Sequence, residues 1–218
     1  GLPEQLAAYA AGDTYPLHMP GHKRRPDAAA FADPYAIDIT EIDGFDNLHD
    51  AHGVLADEMA RAARLWGSRR AFYLVNGSTG GLLSGIAACV RRGDRVLVAR
   101  NAHRAVYHAL ALNGLRPVYA LPAMDESFGI AGSLSPDAVE QALAAHPDVR
   151  LVIVTSPTYD GVLSDIPALA ATAHRHGALL LVDEAHGAHL GLAEGFPPSA
   201  VTGGADVVVQ SVHKTLPS

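Results

Sequence analysis

The chain has 218 residues, 49% of them hydrophobic and 18% charged, a composition that supplies one large core and excludes a disordered or fibrous chain. Its formal net charge of -7 offers no basic surface to a phosphate backbone, so nucleic acid is not an expected partner. A lone cysteine, Cys89, rules out an intramolecular disulfide, and neither a membrane-length apolar run nor a basic-then-apolar leader is present, which points to the cytoplasm and away from membranes.

Residues 1–52 read as an irregular N-terminal segment punctuated by Pro and Gly. A helical pattern follows over 53–66, with Leu55, Met59, Ala62, Ala63 and Trp66 on one face. Short apolar strands then alternate with amphipathic helices. The strands are expected at 71–75, 95–99, 117–121, 151–155, 178–182 and 206–210, and the helices at 79–91, 102–112, 136–145 and 166–176. Ser135-Pro136 and Asp165-Ile166-Pro167 supply helix starts, while Gly93, Gly114 and Gly177 lie just past helix ends. Strands that are apolar throughout, such as 151–154 and 179–182, must be covered on both faces. The alternation therefore predicts an α/β fold: a three-layer α/β/α arrangement around a mostly parallel, doubly wound sheet.

Ligands of such sheets collect at the carboxyl ends of the strands. Five of the six expected strand ends here carry polar side chains: Asn76-Gly-Ser-Thr-Gly-Gly, Asn101-Ala-His103, Ser156-Pro-Thr-Tyr-Asp-Gly, Asp183-Glu-Ala-His186 and Ser211-Val-His-Lys214. The first has glycines that admit a phosphate close to the backbone and hydroxyls on Ser78 and Thr79, although the pattern alone also fits an ordinary turn capped by serine. Asp183-Glu-Ala-His matches a helicase Walker B box, but the accompanying phosphate-loop lysine is missing. Ser211-x-x-Lys214 has the spacing of a penicillin-binding nucleophile without its partner motifs. The pairs His49/His52 and His186/His189 lack a third ligand at metal-site spacing, so no metal site is expected.

One reading uses all five ends together. Of the 16 Lys and Arg residues only Lys23 and Lys214 are lysines, and a lysine, unlike arginine, can lose its proton and attack a carbonyl. Pyridoxal 5'-phosphate (PLP) needs such a lysine, a carboxylate against its pyridine nitrogen, a phosphate cup and a flat group on its ring. Lys214, Asp183, the hydroxyls and ring of Ser78, Thr79, Ser211 and His213, and His103 meet those needs in turn. Taken singly, Asp183 also reads as a helix cap and His103 as a solvated loop histidine.

The segments His18-Met-Pro-Gly-His-Lys, Asp38-Ile-Thr-Glu-Ile-Asp-Gly-Phe-Asp-Asn-Leu-His, Leu74-Val-Asn-Gly-Ser-Thr-Gly-Gly, Ser156-Pro-Thr-Tyr-Asp-Gly, Val182-Asp-Glu-Ala-His-Gly-Ala-His and Gln210-Ser-Val-His-Lys-Thr-Leu-Pro occur in that order along the chain. In this the sequence resembles the Orn/Lys/Arg decarboxylases of PLP fold type I, the aspartate-aminotransferase fold, and in particular their shorter bacterial members. The resemblance implies that Lys214 holds PLP as an imine, Asp183 pairs with the pyridine nitrogen and His103 stacks on the ring. It further implies that Ser78, Thr79, Ser211 and His213 serve the phosphate, that His186 lies beside the cofactor and that Ser156 approaches its 3-hydroxyl. The implied reaction is decarboxylation of a basic amino acid (arginine, lysine or ornithine) to its amine and CO2, as in polyamine biosynthesis, by a homodimer or larger homo-oligomer. By the same resemblance residues 53–218 are a PLP-binding large domain, partial at its C-terminus, with the C-terminal domain outside the chain. Another fold type I reaction, transamination or a different lyase step, and PLP binding without turnover stay open as alternatives, because the electron-sink apparatus is shared.

Overall fold

The computed structural model describes residues 44–217, together with 40–42 and positions 8, 11–13, 15, 17 and 23. His18 and His22, in the first of the segments above, lie outside the described residues. The element order is α1 (Val54–Trp66), α2 (Gly77–Cys89), β1 (Arg95–Ala99), α3 (Arg104–Leu112), β2 (Arg116–Ala120), β3 (Met124–Asp125), β4 (Ile130–Ala131), α4 (Pro136–Ala145), β5 (Val149–Thr155), α5 (Ile166–Arg175), β6 (Leu179–Glu184), β7 (Val207–Gln210) and α6 (Val212–Thr215). Five strands form one sheet in the order β2-β1-β5-β6-β7, and every neighbouring pair is parallel. The short pair β3-β4 is antiparallel and separate from it.

Local chemistry accounts for where the helices begin and end. The Ser135 hydroxyl accepts from Asp137 N–H ahead of α4, and Asp165 accepts from Ala168 N–H ahead of α5, each with a proline in the first turn. Gly177, at a φ of 70°, ends α5 in the left-handed conformation that a side chain disfavours.

Alternation along the strands divides the core in two. Val96, Val98, Leu151, Ile153 and Leu181 face α2 and α3, where they meet Leu82, Ile86 and Val106. Leu97, Val152, Val154, Leu180 and Val182 face α4 and α5, against Val139, Leu143 and Leu169. The fold is thus three-layered, as the uniformly apolar strands require. Each such side chain, fully withdrawn from water, contributes about 1.5–3 kcal/mol.

One expected strand is absent. Residues 71–75 belong to neither sheet, and Phe72 and Val75 are 70% and 72% exposed. Their alternating, β-branched and aromatic character suits a strand, but a strand exists only where a neighbour completes its hydrogen-bond ladder, and none of the five does so here. The hairpin at 124–131 was, conversely, silent in the sequence because two-residue strands have no periodicity to read. Helix α2 starts at Gly77, two residues before the expected position, and so absorbs the glycine-rich run into its first turns.

Those glycines set how closely α2 approaches the sheet. A Cβ on Gly81 would lie 2.9 Å from Val209 Cγ1 and 2.7 Å from Leu74 Cδ1, and one on Gly85 would lie 3.3 Å from both Leu181 and Val207. Leu74 is exposed and can swing away; Val209 is held in β7 and cannot. Gly81→Val is therefore expected to lower stability by about 1–3 kcal/mol through overpacking. A thermal melt checks this, and an unchanged melting temperature would show that α2 can lift off the sheet without cost.

The chain runs from β1 out to β2 and returns to β5 on β1's other side. In open α/β sheets such a reversal marks where ligands collect, at the carboxyl ends of the strands.

Candidate functional site at the strand ends

The carboxyl ends of β1, β6 and β7 and the N-terminus of α2 bring most of the expected residues together. Asp183 is the fifth residue of β6, in register with Thr155 of β5 and Val209 of β7, and is only 3% exposed. The one hydrogen bond to its carboxylate among the described residues is accepted from Ala185 N–H at 3.2 Å. Burial pushes its carboxyl above the usual range, against the opposing pull of that N–H and of the charges on His103 and Lys214. A buried carboxylate so sparsely hydrogen-bonded calls for a cationic partner.

Lys214 lies in α6, one turn beyond β7. Its Nζ is 3.4 Å from His186 Nε2, and His186 in turn meets the ring of Tyr159 edge-on at 5.6 Å between centroids. Burial, then the charges on Lys214 and His103, hold the His186 pKa down and keep the ring neutral. A neutral imidazole can accept from an ammonium and leaves the amine accessible for reaction.

His103 is neither buried nor a free loop residue. It is the N-cap of α3, with Nδ1 accepting from Ala105 N–H at 3.2 Å. A neutral ring in that role carries its proton on Nε2, so the cap fixes both tautomer and orientation.

The hydroxyls expected to receive a phosphate come from two elements. Ser78 Oγ and Ser211 Oγ are 2.7 Å apart, which joins the first turn of α2 to the start of α6. Asn76, the N-cap of α2, makes no side-chain capping bond, so the first amides of this 13-residue helix point outward with its positive dipole end. Thr79 sits exposed in the same turn, and His213 is exposed on α6. Neither side chain makes a hydrogen bond or ion pair among the described residues, so neither is tied to the Ser78–Ser211 pair.

Ser156 departs from the expectation. It is 1% exposed, its Oγ accepts from Ser164 N–H at 3.0 Å, and it lines a small cavity with Ser164, Glu184 and Ser199. Its hydroxyl braces the loop after β5 on the face away from Asp183. Among the described residues no cluster of three or more His, Cys, Asp or Glu side chains has the arrangement to hold a metal, and no helix is long and apolar enough to cross a membrane.

Two residues carry structural weight that the motifs did not announce. Glu184 is the more informative and is taken up below. Asp46 accepts from the N–H groups of Asn47, His52, Gly53, Leu55 and Ala56, which turns part of the Asp38-to-His49 segment into the cap of α1. These donors bring its pKa down to about 2. A depressed carboxyl contributes stability that is complete above its unfolded pKa of about 3.9 and is lost as pH falls through the folded value. The melting temperature should therefore drop between about pH 4 and pH 2 in the wild type. Asp46→Asn should start lower, change less and converge on the wild type in acid; parallel curves would contradict the assignment.

The arrangement fits a carbonyl cofactor with a phosphate and a basic ring nitrogen. It offers an amine beside a neutral imidazole, a buried carboxylate lacking a cation, and a hydroxyl-lined helix N-terminus.

Comparison with known proteins agrees with this chemistry. Residues 2–218 match the family model described as Orn/Lys/Arg decarboxylase, major domain. The chain is 41% identical to Bacillus subtilis YaaO over its whole length and 46% of that protein's. It is 34% identical to an arginine decarboxylase of Halalkalibacterium halodurans over 96% of this chain and 44% of that one. It thus spans less than half the length of these curated relatives. The solved lysine decarboxylase A from Pseudomonas aeruginosa superposes with a TM-score of 0.70 at 24% identity, over 96% of this chain and 32% of that one, which shows a shared fold. The fold, the match along nearly the whole chain and the relatives agree: the chain belongs to the Orn/Lys/Arg decarboxylase family.

Proposed function

We propose that this chain is the cofactor-bearing part of a PLP-dependent decarboxylase of a basic amino acid, with residues 53–218 forming the PLP-binding domain. The observation that carries the reading is the placement of Lys214 beside neutral His186, within the electrostatic reach of buried Asp183. Membership of the family supplies the substrate class: arginine, lysine or ornithine. The family also supports a cytoplasmic homo-oligomer.

When bound, PLP supplies an electron sink for the bond broken at the substrate's α-carbon. The chain's own residues hold and orient. Lys214 Nζ is the amine that would hold the cofactor through its carbonyl carbon. His186 Nε2 accepts a hydrogen bond from Lys214 Nζ and holds the amine in place. Asp183 is the carboxylate that would pair with the cofactor's ring nitrogen, in a buried setting where water competes little. The His103 ring, fixed by its cap on α3, is the flat group that would lie against the cofactor ring. Ser78, Thr79, Ser211 and the first amides of α2 receive the phosphate, with His213 at the cup's edge.

The test is product analysis on protein loaded with PLP. Arginine, lysine and ornithine are offered separately, and CO2 and amine are measured together. Equal release of both from at least one substrate is expected; amino-group transfer to a keto acid without CO2 would contradict the reading.

A further inference from the structure

The residue after Asp183 is a second buried carboxylate, and none of the steps above employs it. Glu184 is 1% exposed, and strand alternation turns it to the face opposite Asp183. Its Oε2 accepts from Ser199 Oγ and from Gln210 Nε2, both at 2.7 Å, and its Oε1 accepts from Ala200 N–H at 2.6 Å. These are three short, charge-assisted bonds from two separate stretches of chain, 199–200 and the end of β7. Glu184 and Gln210 also form the last rung of the β6-β7 ladder. Beyond that rung the chain leaves the sheet at Ser211, which meets Ser78, and reaches Lys214 one turn later.

The surroundings give the carboxylate little freedom. A Cβ on Gly187 would come 2.5 Å from Glu184 Cγ, so the turn after β6 closes directly over the side chain. Burial raises the carboxyl pKa while the three donors lower it. An apolar residue of similar volume would fill the same space without that desolvation cost, which is why a buried carboxylate here signifies definition of geometry rather than gain in stability.

We propose that Glu184 is a positioning residue that locks the end of β7 and the 199–200 turn to β6, so that Ser211 and Lys214 face Ser78, His186 and Asp183. The functional half of this inference rests on the PLP reading; the mechanical half does not. Glu184→Gln keeps the shape but turns an amide N–H₂ toward three donors, so at least one bond is lost. Glu184→Gln combined with Gln210→Glu returns a carboxylate-amide pair in the opposite sense.

Two measurements on the full chain test it. The first is amide hydrogen exchange without PLP. Glu184→Gln is expected to speed exchange about ten-fold or more at residues 199–203 and 211–216, the size expected for losing one buried charge-assisted bond, while β1 and β5 stay as protected as in the wild type. The second is the PLP concentration that half-loads Lys214, which is expected to rise in Glu184→Gln and to fall back in the double variant. Faster exchange in every strand, unchanged exchange, or failure of the double variant to restore loading would each overturn the proposal. Should Glu184→Gln not fold, Ser199→Ala removes one donor and no charge and is expected to give the same local pattern in smaller measure; no local change there would equally overturn it. If the wild type does not load at Lys214, the PLP reading fails and the exchange result alone decides the brace.

Discussion

Lys214→Ala is expected to abolish covalent PLP attachment and, with it, the near-visible absorbance that the attached cofactor gives the wild type. The expectation follows from geometry: Lys214 Nζ lies 3.4 Å from the His186 ring, in a turn set by β7 and by the contact of Ser211 with Ser78. Removing the amine leaves the phosphate cup and Asp183 in place, so PLP should still bind, but reversibly and without the shifted band. Turnover should fall by several orders of magnitude, about the loss seen when the covalent group of a catalytic unit is deleted. Lys23→Ala, by contrast, should leave both the band and the activity as they are. A Lys214→Ala protein with an undiminished band would remove the lysine from the site.

Asp183→Asn is expected to separate stability from function. Activity should fall by roughly 10²–10³-fold, the usual cost of removing one preorganised electrostatic partner from a water-excluded site. Covalent loading should persist, because Lys214 is untouched. Stability of the cofactor-free protein should move the other way. Burial raises the Asp183 pKa, so the ionised form is disfavoured by the fold, and the penalty applies at pH values above that raised pKa. As pH falls through it the wild-type carboxyl becomes neutral and the penalty disappears. The asparagine variant should therefore melt at or above the wild type near neutral pH, and the gap should close in mild acid. Thermal melts across that range, set beside the rate measurements, check both halves. A variant that is less stable at neutral pH and fully active would show that Asp183 is only a cap for the turn at Ala185.

Much of this was legible in the residues because the relevant signals are periodic or local. Strands such as 151–155, apolar on both faces, announce a parallel sheet covered by two helix layers, and the Ser135-Pro136 and Asp165-Ile166-Pro167 starts place α4 and α5 where they are found. Strand ends were legible for the same reason, since polar side chains after apolar runs have no core to enter. The misses share a different cause. Residues 71–75 have the composition of a strand, but a strand's existence depends on its neighbours, which composition does not specify. Gly77 read as loop because of its low helix propensity, and the close approach to Val209 accounts for Gly81 inside the expected helix. Ser156 took its expected role from a resemblance, whereas its hydroxyl is engaged by Ser164. Glu184 could have been found: a glutamate following Asp183 in a buried strand must point to the opposite face and must find donors there.

Chemical mapping of the modified lysine tests the central claim most directly. The protein is incubated with PLP, reduced with borohydride to fix the cofactor on whichever amine holds it, digested and analysed by mass spectrometry. Lys23 and Lys214 are the only two lysines, so the result is unambiguous. The account predicts the pyridoxyl group on the peptide containing Lys214, at about one per chain, with Lys23 and the N-terminal amine essentially unmodified. Modification confined to Lys23 or the N-terminus, or spread evenly over all three amines, would contradict it.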